Sequence, residues 1–227
     1  MGFILGGFSP EASFAAGGVL SVVGGVTLKK YHKRSQILFS LIPLLFAIQQ
    51  LAEGFLWLNL NYQNLFLKIA KYVFLFFALL LWPGYFGFSI LPMEPHAKRR
   101  KILYLFGFMG VGVALYLLYW IIHFKGVPVE ACENHINYVF VYPYKPQVGY
   151  LYAACILIPC FITSVKRVWI LGLLLGVGFF YTRLFFALKY LISIWCFLAA
   201  ISSIVVYYIL YLHGKNMRVA AETAPKK

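Results

Sequence analysis

Apolar residues run along the chain in long blocks, broken by short polar connections. Crossing a bilayer core takes a helix of about 20 apolar residues. Seven blocks reach that length: Ser9 to Leu28, Gln36 to Leu58, Ile69 to Leu91, Ile102 to Phe124, Gln147 to Val165, Val168 to Ala187 and Leu191 to Leu212. Pro43, Pro83, Pro159, Gly172 and Gly176 fall inside these blocks, and membrane helices tolerate both residue types. The stretch from Val168 to Leu212 is too long for one crossing and suits two, which demands a tight turn near Leu188 to Tyr190. The pattern predicts an all-α, polytopic membrane bundle of seven helices. Residues 1–213 form the transmembrane domain, and 214–227 form a polar tail expected to be disordered. The connection Lys125 to Pro146 is the longest and leaves no room for a soluble domain.

Composition agrees. The 227 residues are 63% hydrophobic and 11% charged, with mean hydropathy +0.83, whereas soluble domains carry about 25% charged residues. The formal net charge is +14. In a soluble protein that balance would point to nucleic acid, but here the positions matter more. Lys29, Lys30, Lys33, Arg34, Lys98, Arg99, Arg100, Lys101, Lys166, Arg167, Lys215, Arg218, Lys226 and Lys227 all fall on one side of a seven-span topology. Lys68, Lys71, Lys125, Lys145, Arg183 and Lys189 do not. The positive-inside rule then predicts an outside N-terminus and a cytoplasmic C-terminus. The expected partners are the bilayer and a small-molecule or lipid ligand, with no nucleic acid.

Charges inside a membrane span are functional candidates by default. Glu53 and Arg183 are the two that lie well within spans. Both fall roughly 22–26 Å from the basic face at 1.5 Å per residue, which predicts either an ion pair or a shared ligand site. Gln49, Glu53 and Trp57 recur at i, i+4, i+8, and Gln50 precedes Glu53 by three, so the four share a helical face. Two amides and a carboxylate are poorly suited to face lipid, so the stripe should face the bundle interior or a wet cavity. It serves there as a polar ligand site or as interhelical hydrogen-bonding glue. Glu11 lies in Ser9-Pro10-Glu11, a good helix start, and also a candidate for the outer mouth. His123 ends the fourth span on the outer side.

Glu130, Cys132, Glu133 and His135 match no zinc spacing, so no metal or cofactor is expected. Cys155, Cys160 and Cys196 fall in spans and read as small apolar residues. The chain has no Asp, which removes aspartyl intramembrane proteolysis and Asp-rich metal–diphosphate chemistry. The seventh span has no Lys for a retinal Schiff base.

Two segments carry a resemblance. Phe8-Ser9-Pro10-Glu11-Ala12-Ser13-Phe14, and Pro43 to Gln50 followed by Glu53-Gly54 and Trp57, resemble an uncharacterised family of bacterial multi-pass membrane proteins. The resemblance covers about the first 60 residues and implies a bacterial inner-membrane location, without any activity to transfer. Three functions fit the sequence. The first is a binding or transport protein with its site in the outer half, formed by Gln49, Gln50, Glu53 and Arg183, with Glu11 and His123 at the mouth and Trp57, on the same helical face, either a further ligand contact or an interfacial anchor. The second is an intramembrane enzyme acting on a lipid or prenyl substrate, with Glu53 as acid or base. The third is a structural or assembly protein.

Overall fold

The computed structural model describes residues 9–62, 64–124, 126–132, 135–186 and 190–222. Seven helices are long and apolar enough to cross a membrane: α1 Pro10–Lys30, α2 Ile37–Asn59, α3 Leu65–Met93, α4 Ala97–His123, α5 Lys145–Ile162, α6 Val168–Phe185 and α7 Leu191–Gly214. The chain is an integral, multi-pass membrane protein. Lys29, Lys30, Lys33, Arg34, Lys98, Arg99, Arg100, Lys101, Lys166 and Arg167 lie in the connections and adjoining helix ends at one end of the bundle, here the basic end. Between α4 and α5, at the opposite end, strands β1 Val129–Cys132 and β2 His135–Tyr138 pair antiparallel with Val129 opposite Tyr138. The tight turn expected near Leu188 and Phe8 of the opening motif lie outside the described residues.

Local chemistry sets the helix ends. Ser9 caps α1 by accepting the Ala12 N–H at 3.2 Å, and Pro10 occupies the first turn. Asn64 caps α3 by accepting from Leu67 N at 2.8 Å. At the far end of α7, helix continues from Val205 to Glu222, past the boundary expected at residue 213. Gly214 alone is a weak breaker, and Met217 to Glu222 favours helix. Residues 223–227 of the expected tail lie outside the described residues.

Two glycines decide how closely neighbouring helices approach. A Cβ on Gly24 would sit 2.7 Å from the backbone nitrogen of Leu44, so α1 lies directly on the α2 backbone there. A Cβ on Gly110 would overlap the carbonyl of Pro83, so α4 meets α3 in the same way. Gly18 and Gly25, beside the α1 contact face, meet nothing.

The third crossing is not a uniform α-helix. Phe76–Leu81 is a π-helical turn, in which Trp82 N–H donates to Phe77 O, five residues back. The next N–H in that series would come from residue 83, and Pro83 has none. The carbonyl of Ala78 is therefore left over in a buried position. Tyr152 of α5 donates its hydroxyl to that carbonyl at 2.5 Å. A proline, a π-turn and a tyrosine from another helix thus form one unit.

At the basic end, Glu94 follows α3 and ties it to the α5–α6 turn. Its carboxylate accepts from Thr163 Oγ1 at 2.9 Å, Ser164 N at 2.6 Å, Ser164 Oγ at 2.7 Å and His96 N at 3.0 Å. Burial alone pushes this carboxyl up, but the hydrogen bonds together outweigh it and hold the pKa below the usual glutamate range.

Candidate functional site

The inward stripe on α2 comes first. Gln49 and Gln50 are 0% exposed and Glu53 1%, so they face the protein. Each reaches a partner distant in sequence or on its own helix. Trp82 Nε1 donates to Gln49 Oε1 at 2.6 Å, and the Trp82 ring stacks on Phe46 with centroids 3.9 Å apart. Ser193 of α7 donates its hydroxyl to Glu53 Oε1 at 2.5 Å, and Gln50 Nε2 donates to Glu53 Oε2 at 3.4 Å. The stripe therefore binds α2 to both α3 and α7. Its hydrogen-bonding capacity is not used up, however. Among the described residues, Gln49 Nε2, Gln50 Oε1 and the nearby Tyr138 hydroxyl are buried with no hydrogen-bond partner. Buried polar groups are nearly always satisfied, so this cluster has spare donors and acceptors.

Tyr138 belongs to β2 and reaches into the bundle. A two-stranded hairpin is marginal by itself, and here β2 is anchored by burying Ile136 and Tyr138. The Tyr138 ring stacks on Phe74 of α3 at 5.0 Å. Burial pushes its phenol well above the ordinary tyrosine value, and the Glu53 carboxylate adds to the shift. Cys196 of α7 also lies within electrostatic range of Glu53 and close to the Gln49 amide.

Tyr138 and Cys196 form part of the wall of a cavity of about 140 Å³ at the hairpin end, lined by the hairpin side and by residues of helices α3, α4, α5, α6 and α7. Its remaining wall is aromatic and aliphatic, including Tyr152, Phe179 and Trp195. Trp195 is fixed by donating Nε1 to Leu175 O at 3.1 Å, and its ring meets Phe179 at 5.0 Å and Tyr152 at 5.6 Å. Lys145 and Arg183 are the charged residues of the lining. Lys145, in the first turn of α5, donates to Phe140 O at 2.9 Å and lies 5.9 Å from the Tyr142 ring centroid. Arg183, in the last turn of α6, lies 5.9 Å from the centroid of Tyr150. Both cations keep further donors free for an anion.

The sequence candidates divide into three groups. Arg183 lines the cavity. Gln49, Gln50 and Glu53 sit together behind its Tyr138–Cys196 wall. Glu11 is exposed in the first turn of α1. His123 is exposed at the end of α4, among the rings of Tyr119, Trp120 and Phe124. Trp57 is half-buried against the core. None of these three lines the cavity. Among the described residues no ion pair joins Glu53 to Arg183: the carboxylate is held by Ser193 and Gln50, and the guanidinium by Tyr150. Lys145 and the tyrosines of the lining were missed by sequence reasoning. The signal for Lys145 was its place among the few basic residues away from the basic end. No local pattern marks Tyr138, Tyr142, Tyr150 or Tyr152, and only the folded chain gathers them.

Among the described residues, no group of three or more His, Cys, Asp or Glu could hold a metal ion. Cys155, Cys160 and Cys196 are free and buried. A family model described as a family of unknown function, DUF6629, matches residues 7–222. No curated protein and no solved structure matches the chain.

Proposed function

The chain belongs to that family of unknown function and inherits no activity from it, so from the geometry we propose that it binds a small amphipathic anion in the cavity at the hairpin end. One observation carries this reading: the charged residues lining an otherwise apolar and aromatic cavity are both cations, Lys145 and Arg183. A volume near 140 Å³ is about that of a cavity that takes a benzene-sized group. The ligand is therefore a carboxylate or phosphate next to a ring or a short branched apolar segment. The apolar part fills the space between Tyr152, Phe179 and Trp195, and the anion meets Lys145 and Arg183. The unpaired hydroxyl of Tyr138 and the amides behind it supply a polar floor for a second ligand heteroatom. The distribution of basic residues supports a cavity that opens away from the cytoplasm, and the opening motifs support a bacterial inner membrane.

The test is calorimetric titration of the purified full chain with benzoate and with benzyl alcohol. Benzoate is expected to bind and the neutral alcohol to bind at least about tenfold more weakly, the worth of one ~1.4 kcal/mol charge-assisted contact. Arg183→Gln with Lys145→Gln should remove that difference. Equal binding of the two compounds, or an unchanged preference in the double variant, sinks the reading.

A second reading has its own support. The Glu53–Ser193 and Gln49–Trp82 hydrogen bonds join α2 to α7 and α3, as expected of polar glue in a structural membrane protein. Failure of every small anion to bind would favour it.

A further inference from the structure

A second feature lies at the opposite end of the bundle and is independent of the cavity. Between α1 and α6, over the outer face of α7, runs an open apolar groove of about 620 Å³, lined by Val22 and Val26 of α1, Leu174 of α6, and Ile201, Ile204 and Val205 of α7. Val22 is 68% exposed and Val26 50%. These residues belong to membrane-crossing helices, so the groove faces lipid tails.

At its basic end the groove closes with Tyr207 and Tyr208. Each hydroxyl is held by a cation from a different wall. Lys30, the last residue of α1, donates from Nζ to Tyr207 Oη at 3.1 Å, and it lies 5.2 Å and 5.4 Å from the ring centroids of Tyr207 and Tyr211. Arg167, immediately before α6, donates from Nη1 to Tyr208 Oη at 3.3 Å, with its guanidinium 5.7 Å from that ring. Both cations sit at the ends of the helices whose apolar residues wall the groove, just past its basic end. Among the described residues, the hydrogen-bond partners of both cations are tyrosine hydroxyls and no carboxylate pairs with either.

We propose that this groove is a binding site for one anionic phospholipid, its acyl chain lying along Val22, Val26 and Ile204 and its phosphate between Lys30 and Arg167. Charge complementarity selects the occupant. An apolar channel alone would take any lipid tail. Two cations fixed by tyrosines at headgroup level favour a lipid with net negative charge over a zwitterionic one. A juxtamembrane cation is worth enough that the pair corresponds to about a thirtyfold preference. The tyrosines hold both side chains before the lipid arrives, which lowers the ordering cost of binding.

The test is native mass spectrometry of the full chain in detergent, with phosphatidylglycerol or phosphatidylcholine of matched chains added. The wild type is expected to retain one phosphatidylglycerol about thirtyfold better than phosphatidylcholine. Lys30→Gln with Arg167→Gln should bring the two lipids level. Lys98→Gln with Arg99→Gln, which removes two exposed cations from the same end, should leave the preference intact. Excess inorganic phosphate should not displace the lipid, because it lacks the tail. Equal retention of both lipids by the wild type overturns the proposal whatever the variants do. An equal loss in the Lys98/Arg99 control overturns it as general surface attraction. A lipid-independent dimer that the Lys30/Arg167 variant abolishes would assign the groove to a second copy of the chain instead.

Discussion

Replacing Tyr152 by Phe removes one oxygen and keeps the ring that lines the cavity. The oxygen matters because of what lies opposite. The Ala78 carbonyl is the one left over when the π-turn meets Pro83, and the Tyr152 hydroxyl is its donor at 2.5 Å. Ala78 is 3% exposed and lines the cavity together with Tyr152, so a water in that cavity is the only substitute donor from solvent. An orphaned buried acceptor costs about 1–3 kcal/mol, while interhelical hydrogen bonds in membranes average about 0.6 kcal/mol because the freed group usually finds another partner. Pro83 opposes the relaxation to an α-helix that would offer Trp82 N–H instead, because its ring clashes with the carbonyl four residues back, so Tyr152→Phe should cost about 1–2 kcal/mol, the upper part of the membrane range. Pro83→Ala supplies the decisive comparison. It restores an N–H to the ladder, and Ala78 O then gains a backbone donor whether the segment stays π or relaxes to α. In that background Tyr152→Phe should cost under about 0.5 kcal/mol, a coupling of about 1 kcal/mol. Equilibrium unfolding of the four proteins in mixed micelles measures the cycle. An identical loss in both backgrounds would show that the hydroxyl does not serve the carbonyl orphaned by Pro83.

Two further outcomes follow from the packing and the Glu94 latch. Gly24→Ala should destabilise the bundle by about 1–3 kcal/mol through overpacking, because its Cβ meets the Leu44 backbone. Gly25→Ala, facing open space, should stabilise it by up to about 1 kcal/mol through helix propensity; the same sign for both in mixed-micelle unfolding would contradict the close approach of α1 and α2. For Glu94 the folded pKa is lowered, so its contribution to stability is full above the ordinary glutamate value of about 4.3 and is lost as pH falls through the lower folded value. Glu94→Gln should therefore melt below wild type at pH 7, and the gap should narrow as the pH drops below about 4. A gap independent of pH would mean that the carboxylate charge is not what Thr163 and Ser164 recognise.

How much of this could be read from residue order varies from element to element. The seven crossings are legible because hydrophobic length is a local property and the bilayer imposes one threshold on all of them. The inward aim of Gln49, Gln50 and Glu53 is legible because helical spacing puts them on one face and lipid offers amides and carboxylates no partner. The identity of their partners is not. Trp82 is 33 residues from Gln49, and Ser193 is 140 from Glu53. Matched depth brought Glu53 and Arg183 to attention as a pair, yet depth fixes only one coordinate. Rotation about each helix axis sends Arg183 to the cavity and Glu53 to Ser193.

Residue order alone therefore establishes a membrane protein of seven helices, the grouping of its basic residues at one end, and the polar face that must be hidden. Those follow from the free energy of placing each side chain in water or hydrocarbon, which is nearly independent of the rest of the chain. The π-turn satisfied by Tyr152, the clamp around Glu94, the hairpin that brings Tyr138 into the bundle, and the cavity bordered by Lys145 and Arg183 come from packing. Each joins groups far apart in the chain. Backbone approach, helix rotation and the need to satisfy every buried polar atom act together there, and no single residue's transfer energy encodes the outcome.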